Sequence, residues 1–151
     1  MEALTEVKTD EMYEDRAVEC CFGDLTKAVA LSSDLEFNNA YQQMLYVLFS
    51  MKTSRDVPAM ILALELKNIK LERYLDVLDI MLKGLLMRIN NVNKKAFYDL
   101  KRLDDIYNNA MLVNIAQLVR NCRKRLESNC KPEAVADYLL MGILEVKYLC
   151  Q

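Results

Sequence analysis

The densest chemistry in this chain is a run of cations, Arg120, Arg123, Lys124 and Arg125, followed directly by Leu126. At helical spacing Arg120, Arg123 and Lys124 lie on roughly one side, which is the clustering that phosphate binding requires. No aromatic residue stands among them to stack a base, so nucleic acid binding through them would be weak and salt-sensitive. The same run read as a helix C-terminus is favoured by the helix dipole alone. Carboxylates adjoin at Glu14-Asp15 and Asp104-Asp105, but neighbours in sequence do not share a helix face, so a two-carboxylate acid–base site is not indicated. The chain has no histidine. That removes histidine acid–base catalysis, histidine-activated nucleophiles and the Glu-x-x-His metal sites of helical bundles. Five cysteines contain no C-x-x-C pair, so a zinc site is not expected. Gly23, Gly84 and Gly142 are isolated and make no phosphate loop. These residues point away from an enzyme and imply no metal or cofactor.

Charge is unevenly spread, although the net value is only −2. Residues 1–24 carry Glu2, Glu6, Asp10, Glu11, Glu14, Asp15, Glu19 and Asp24 against Lys8 and Arg16. Residues 117–131 are the reverse, with Arg120, Arg123, Lys124, Arg125 and Lys131 against Glu127. Three readings stand: the acidic arm and the basic patch touch each other, each meets a partner, or both are solvated faces. Met1 is followed by Glu2 rather than by a basic and then apolar run, so a leader is not expected. An odd cysteine count with adjacent Cys20 and Cys21 does not resemble a disulfide framework, which places the chain in a reducing interior, nucleus or cytoplasm.

Helices must position all of this. Apolar residues make up 53% of the chain while glycine and proline are scarce, so the frequent turns of an all-β fold are missing. The organising stretch is 69–89, where apolar residues cover most of a helical circumference. Glu72, Asp76, Asp79 and Lys83 leave one narrow polar stripe at i, i+4, i+7, i+11. Charges every three or four residues exclude a membrane span, so this is the buried centre of a bundle. Residues 1–9 read as a flexible acidic arm. A helix from Asp10 to about Cys21 would turn Met12, Tyr13, Ala17 and Val18 inward, and Leu25, Ala28, Val29 and Leu31 continue a short stripe after Gly23. Any of Ser32, Ser33 and Asp34 can cap the next helix, Leu35 to Met51, with Phe37, Tyr41, Met44, Leu45, Leu48 and Met51 in its stripe. Pro58 opens a helix to about Asn68. After the turn at Asn90–Asn93, Phe97, Leu100, Leu103, Ile106 and Tyr107 predict a helix that Asn108-Asn109 ends. Leu112 to Cys122 predict another, running into the basic residues. Pro132 starts the last, which buries Val135, Tyr138, Leu139, Ile143, Val146, Tyr148 and Leu149.

The expected fold is therefore all-α, a compact antiparallel bundle of six to seven helices over residues 10–151. A second arrangement is two fused similar units, 25–88 and 82–150, sharing the core helix as stacked repeats do. In it Leu45, Leu48 and Met51 of one copy match Leu100, Leu103 and Ile106 of the other. Amphipathic helices of similar length would also look alike.

Residues 72–150 resemble a known class. Leu82-Lys83, Leu100-Lys101-Arg102-Leu103, Ile115, Leu118-Val119-Arg120, Arg123-Lys124-Arg125, Glu133-Ala134-Val135-Ala136 and Leu144-Glu145-Val146-Lys147 are similar to the N-terminal domain of transcription elongation factor S-II. The nearest likeness is to the integrase-binding domain of the LEDGF and hepatoma-derived growth factor-related proteins. The resemblance implies a nuclear, chromatin-associated module that holds short disordered peptides between two interhelical loops. It places Ile89 and Asn90 in the first loop, where the class has an apolar residue and an acid. It places Lys124 and Leu126 in the second, where the class has an aromatic and a β-branched residue. A partner side chain would then enter an apolar pocket at Ile89 and Leu126, with Lys124 and Arg125 steering an acidic segment and Arg123 and Asn90 completing the binding residues. A bundle of the apoptosis-regulator (Bcl-2) kind also fits a central apolar helix. Its Asn-Trp-Gly-Arg element is missing, because the chain has no tryptophan. The expected function is a non-enzymatic protein–protein interaction module that captures partner segments and does not engage a membrane. The alternatives are a homo-oligomeric structural or adaptor protein, with methionine-rich self-contacts, and a weak nucleic-acid binder through 120–125.

Overall fold

The computed structural model describes residues 15–20, 22, 25–92 and 95–149. The expected arm at 1–9, Met12, Tyr13 and Asn93 lie outside them, as do the side chains of Leu25, Ala28 and Val29. Among the described residues there are seven α-helices and no strand. They are α1 (15–20), α2 (Leu25–Ser32), α3 (Leu35–Ser50), α4 (Val57–Ala63), α5 (Leu71–Ile89), α6 (Asn109–Glu127) and α7 (Pro132–Leu149). Two 3-10 turns, Ser54–Asp56 and Tyr98–Leu103, connect them. The all-α expectation is met. No helix among the described residues is long and apolar enough to cross a membrane.

The residues fall into two units, 1–39 and 40–151, divided within α3. In the first, Asp34 is the cap that starts α3, its Oδ1 accepting the Phe37 N–H at 3.0 Å. Asn38 is buried, and its amide is fully used: it donates to the carbonyls of Leu31 and Asp34 and accepts from Arg16 at 3.3 Å. Ala17 and Cys20 are buried three residues apart, while Val18 is exposed, contrary to the inward position expected for it. A 100° step per residue takes Val18 off the side that Ala17 and Cys20 share.

In the second unit α5 is the centre, as its sequence demands. Leu71, Tyr74, Leu75, Val77, Leu78, Met81, Leu82 and Leu85 are buried, and the Glu72–Asp76–Asp79–Lys83 stripe reaches the surface. Buried Tyr74 keeps its hydroxyl satisfied, donating to Gln43 and accepting the Glu65 N–H. That bond holds the turn after α4, which ends at Ala63 rather than near Asn68 because Leu64 takes an extended ψ of 118°. Helix α6 runs antiparallel to α5: Asn109 at its start exchanges amide bonds with Asn90 at the end of α5, and Arg123 near its end meets Asp76 and Asp79. Helix α7 returns antiparallel to α6, with Gly142 against Leu118 and Tyr138 against Arg125.

Both α5 and α6 end in the same way. Asn91 (φ 58°) and Asn129 (φ 62°) take the left-handed conformation that usually calls for glycine. The following amides, Val92 and Cys130, reach back to the carbonyls of Met87 and Arg125.

The segment between α5 and α6 departs from expectation. It is a 3-10 helix, Tyr98–Leu103, not an α-helix, and Asn108 does not end it but caps α6, accepting the Met111 N–H at 2.9 Å. Phe97 opens the segment in the left-handed region (φ 52°) with its ring buried against Gly84. Arg88, only 6% exposed, clamps both ends: it donates to the Ala96 carbonyl and holds Asp104 bidentately at 2.8 and 3.0 Å. In α7 the buried set is Val135, Ala136, Leu139, Leu140, Ile143 and Leu144. Tyr148 and Leu149, expected inside, are 61% and 75% exposed. The seam against α6 ends before them.

Candidate functional site

Six residues were expected to form one site, and the antiparallel course of α5 and α6 separates them into two groups. Ile89 and Asn90 close α5 beside the start of α6. Arg123, Lys124, Arg125 and Leu126 close α6 beside the first half of α5. From Asn109 to Leu126 the axis of α6 rises about 25 Å at 1.5 Å per residue, so no single side chain spans Ile89 and Leu126.

The cations of the second group also differ in their engagements. Arg123 donates to Asp76 at 2.9 Å and Asp79 at 2.7 Å, so it belongs to the polar stripe of α5. Burial works against its charge, but its hydrogen bonds to Asp79 and Asp76 outweigh that and hold the guanidinium above its ordinary value. The Arg125 guanidinium lies 3.9 Å over the ring of half-buried Tyr138. Arg120 bonds Gln117 on its own helix. Lys124 is exposed, and Leu126 is half-buried. A basic run in sequence is thus parcelled out among two neighbouring helices and solvent.

Another surface exposes large aromatic side chains. On α3 the residues Tyr41, Met44, Val47, Leu48 and Met51 are buried. Gln42, Leu45, Tyr46 and Phe49, at i, i+3, i+4, i+7, form the opposite face; Leu45, expected in the core stripe, is only half-buried because its 100° step from Met44 carries it to the edge of that stripe. Tyr46 is 54% and Phe49 41% exposed there. The 3-10 segment runs alongside: Asp99 accepts from the Tyr41 hydroxyl at 3.2 Å, and Arg102 stands 5.7 Å over the Phe49 ring. On the same segment Lys101 stands over exposed Tyr98 at 5.5 Å. Three exposed aromatic rings and two exposed cations therefore share α3 and its neighbour. Tyr, Phe and Arg are the residues that concentrate binding energy at interfaces.

The other flank of the segment borders a cavity of about 410 Å³ lined by Asp104, Asp105, Ile106, Tyr107, Asn108, Met111 and Lys147. Its amine is committed elsewhere. Lys147 Nζ donates to the carbonyls of Met51 at 2.6 Å and Leu48 at 3.5 Å, and it lies 5.0 Å over the Tyr107 ring. Burial, helped by the charge of Lys52, pulls the ammonium below the ordinary lysine range. The Tyr107 hydroxyl also donates to Leu48, and the Tyr148 hydroxyl to Lys52. Together these side chains close the Leu48 carbonyl in the last turn of α3 and the Met51 and Lys52 carbonyls just beyond it.

The sequence carried a signal for the α3 face that periodicity alone passes over. Tyr46 and Phe49 are aromatic yet fall outside the core stripe Phe37–Tyr41–Met44–Leu48–Met51, and a large apolar residue off the stripe of an amphipathic helix needs a second partner. No family model, no curated protein and no solved structure matches this chain.

Proposed function

We propose that this protein is a non-enzymatic helical interaction module that captures a segment of a partner protein on the outer face of α3 and the 3-10 segment beside it. The observation that carries this reading is the second apolar stripe of α3, Leu45–Tyr46–Phe49, flanked by Arg102. The commitment of Arg123 to Asp76 and Asp79 weighs against a nucleic-acid function for 120–125, since it leaves fewer cations for phosphate. A transcription or chromatin setting is supported by the sequence resemblance alone. The two loops that the resembled class uses lie at opposite ends of α6 here.

The test is affinity purification with tagged full-length protein, comparing wild type, Tyr46→Ala/Phe49→Ala and Ile89→Ala/Leu126→Ala, each confirmed folded by circular dichroism. Partners lost only with the α3 pair support this reading. Partners lost only with the Ile89/Leu126 pair return the site to the loops. Recovery of the protein itself alone favours a homo-oligomer.

A further inference from the structure

We infer that the α3 face takes an acidic amphipathic helix, its apolar residues against Tyr46 and Phe49 and its carboxylates against Lys101 and Arg102. This rests on the reading of that face as a capture surface and names the chemistry of its occupant.

The argument is one of charge and shape. The 3-10 segment and its flanks carry charges of both signs, but their engagements differ. Asp104 is neutralised by Arg88, and Asp104 and Asp105 border the cavity that Lys147 lines. Asp99 accepts from Tyr41. Lys101 and Arg102 instead lie over Tyr98 and Phe49, and among the described residues no carboxylate pairs with either. The aromatic face is therefore bordered by two cations that form no ion pair among the described residues, the arrangement that selects acidic partners and steers their approach.

Shape favours a helix. The described residues include no strand, so no sheet edge is on offer for an extended peptide. The stripe from Gln42 to Phe49 is about 10 Å long at 1.5 Å per residue, matching two turns of a partner helix with anchors at i, i+4 and i+7. Single-stranded nucleic acid fits less well. One face of Phe49 and one of Tyr98 is covered by a cation, and two cations supply little phosphate affinity.

The experiment is selection of randomised helical peptides by phage display on the full-length protein. The selected peptides are then measured by fluorescence anisotropy against wild type, Phe49→Ala and Lys101→Glu/Arg102→Glu. A single-stranded RNA oligomer serves as the competing probe. The expected result is enrichment of Asp/Glu beside Leu/Phe at helical spacing, and about tenfold weaker binding to the charge-reversed variant. Replacing the peptide's acids by lysine should restore affinity for that variant. Both surface variants alter exposed residues and leave the core intact. Neutral or basic winners that still need Phe49 would overturn the acidic occupant while keeping the capture surface. Winners indifferent to Phe49, or no winners, overturn both. RNA bound in preference to every peptide, or peptide selection blocked by self-association through α3, assigns the face to another occupant and ends the proposal.

Discussion

Gly84→Ala is the sharpest test of how α5 is packed. A methyl group at this position would sit 2.7, 2.8 and 3.0 Å from Cγ, Cδ1 and Cδ2 of Phe97, where carbon contacts are normally about 3.5–4.0 Å. The ring has little room to retreat. Phe97 is buried, starts the 3-10 segment with φ 52°, and follows Ala96, whose carbonyl is held by Arg88. Overpacking of this kind costs about 1–3 kcal/mol, against a helix-propensity gain of up to about 1 kcal/mol for replacing glycine. Contacts as short as 2.7 and 2.8 Å put the cost in the upper part of that range, about 2–3 kcal/mol, so the net expectation is a loss of about 1–2 kcal/mol, or a Tm lower by roughly 2–8 °C for a chain of this size. Urea unfolding followed by circular dichroism measures it, with an unchanged m-value as the check that the unfolding reaction is the same. In a Phe97→Ala background the sign should reverse, since the clash is gone and the propensity gain remains. Equal cost in both backgrounds, or a Gly84→Ala protein as stable as wild type, would refute the account. Gly142→Ala is the control: its methyl would meet Cδ2, Cδ1 and Cγ of half-buried Leu118 at 2.7, 2.8 and 3.4 Å, the far end of a flexible side chain that can rotate away, so a change within about 0.5 kcal/mol is expected.

Removing the Arg88 guanidinium should be costlier than any surface change. Arg88→Ala leaves Asp104 and the Ala96 carbonyl without their donor and should lose about 2–3 kcal/mol by urea titration, discounted because Asp104 is partly exposed, with Arg88→Met recovering part. Asn108→Ala should cost about 1 kcal/mol through the lost α6 cap, read in the same assay. Stability should fall in alkali. Burial pushes the Cys122 thiol up to about 11, and burial raises Tyr107 as well, so the unfolded chain releases these protons first. The native state then holds more protons, ΔG of unfolding drops with pH from about 9 to about 11, and Cys122→Ala should flatten part of that slope in pH-dependent denaturation. Iodoacetamide labelling followed by peptide mass spectrometry should find exposed Cys130 modified well before buried Cys122.

The long helices were legible because their apolar residues recur at three and four. Phe37 to Met51 gave α3 and the unbroken apolar run gave α5, polar stripe included. The segment at 98–103 was misread because Leu100 and Leu103 are three apart. That spacing suits both an α-helix and the three-residue turn of a 3-10 helix. What decides between them is tertiary: the buried Phe97 ring against Gly84 and the Arg88 clamp on Ala96 and Asp104. The separation of Ile89 from Leu126 was likewise out of reach of local pattern, since it depends on which way α6 returns along α5. The basic run was visible, but the carboxylates that take up Arg123 lie 47 and 44 residues away in sequence. The exposed aromatic stripe of α3 could have been read from Tyr46 and Phe49 standing off the core stripe. Its cations could not, because only the fold brings Arg102 over Phe49.

The end of α3 has a consequence for the order of events during synthesis. The carbonyls of Met51 and Lys52, just past the helix, are closed by Lys147 and Tyr148, which follow 96 residues later. At translation rates of about 5–20 residues per second, an interval of roughly 5–20 s separates the helix from the groups that finish it. During that time a nascent segment with apolar residues on both faces is in solution without its counterpart. The part of the unit made first is completed last, so ribosome-bound chains halted before α7 should be the most chaperone-dependent species this protein passes through.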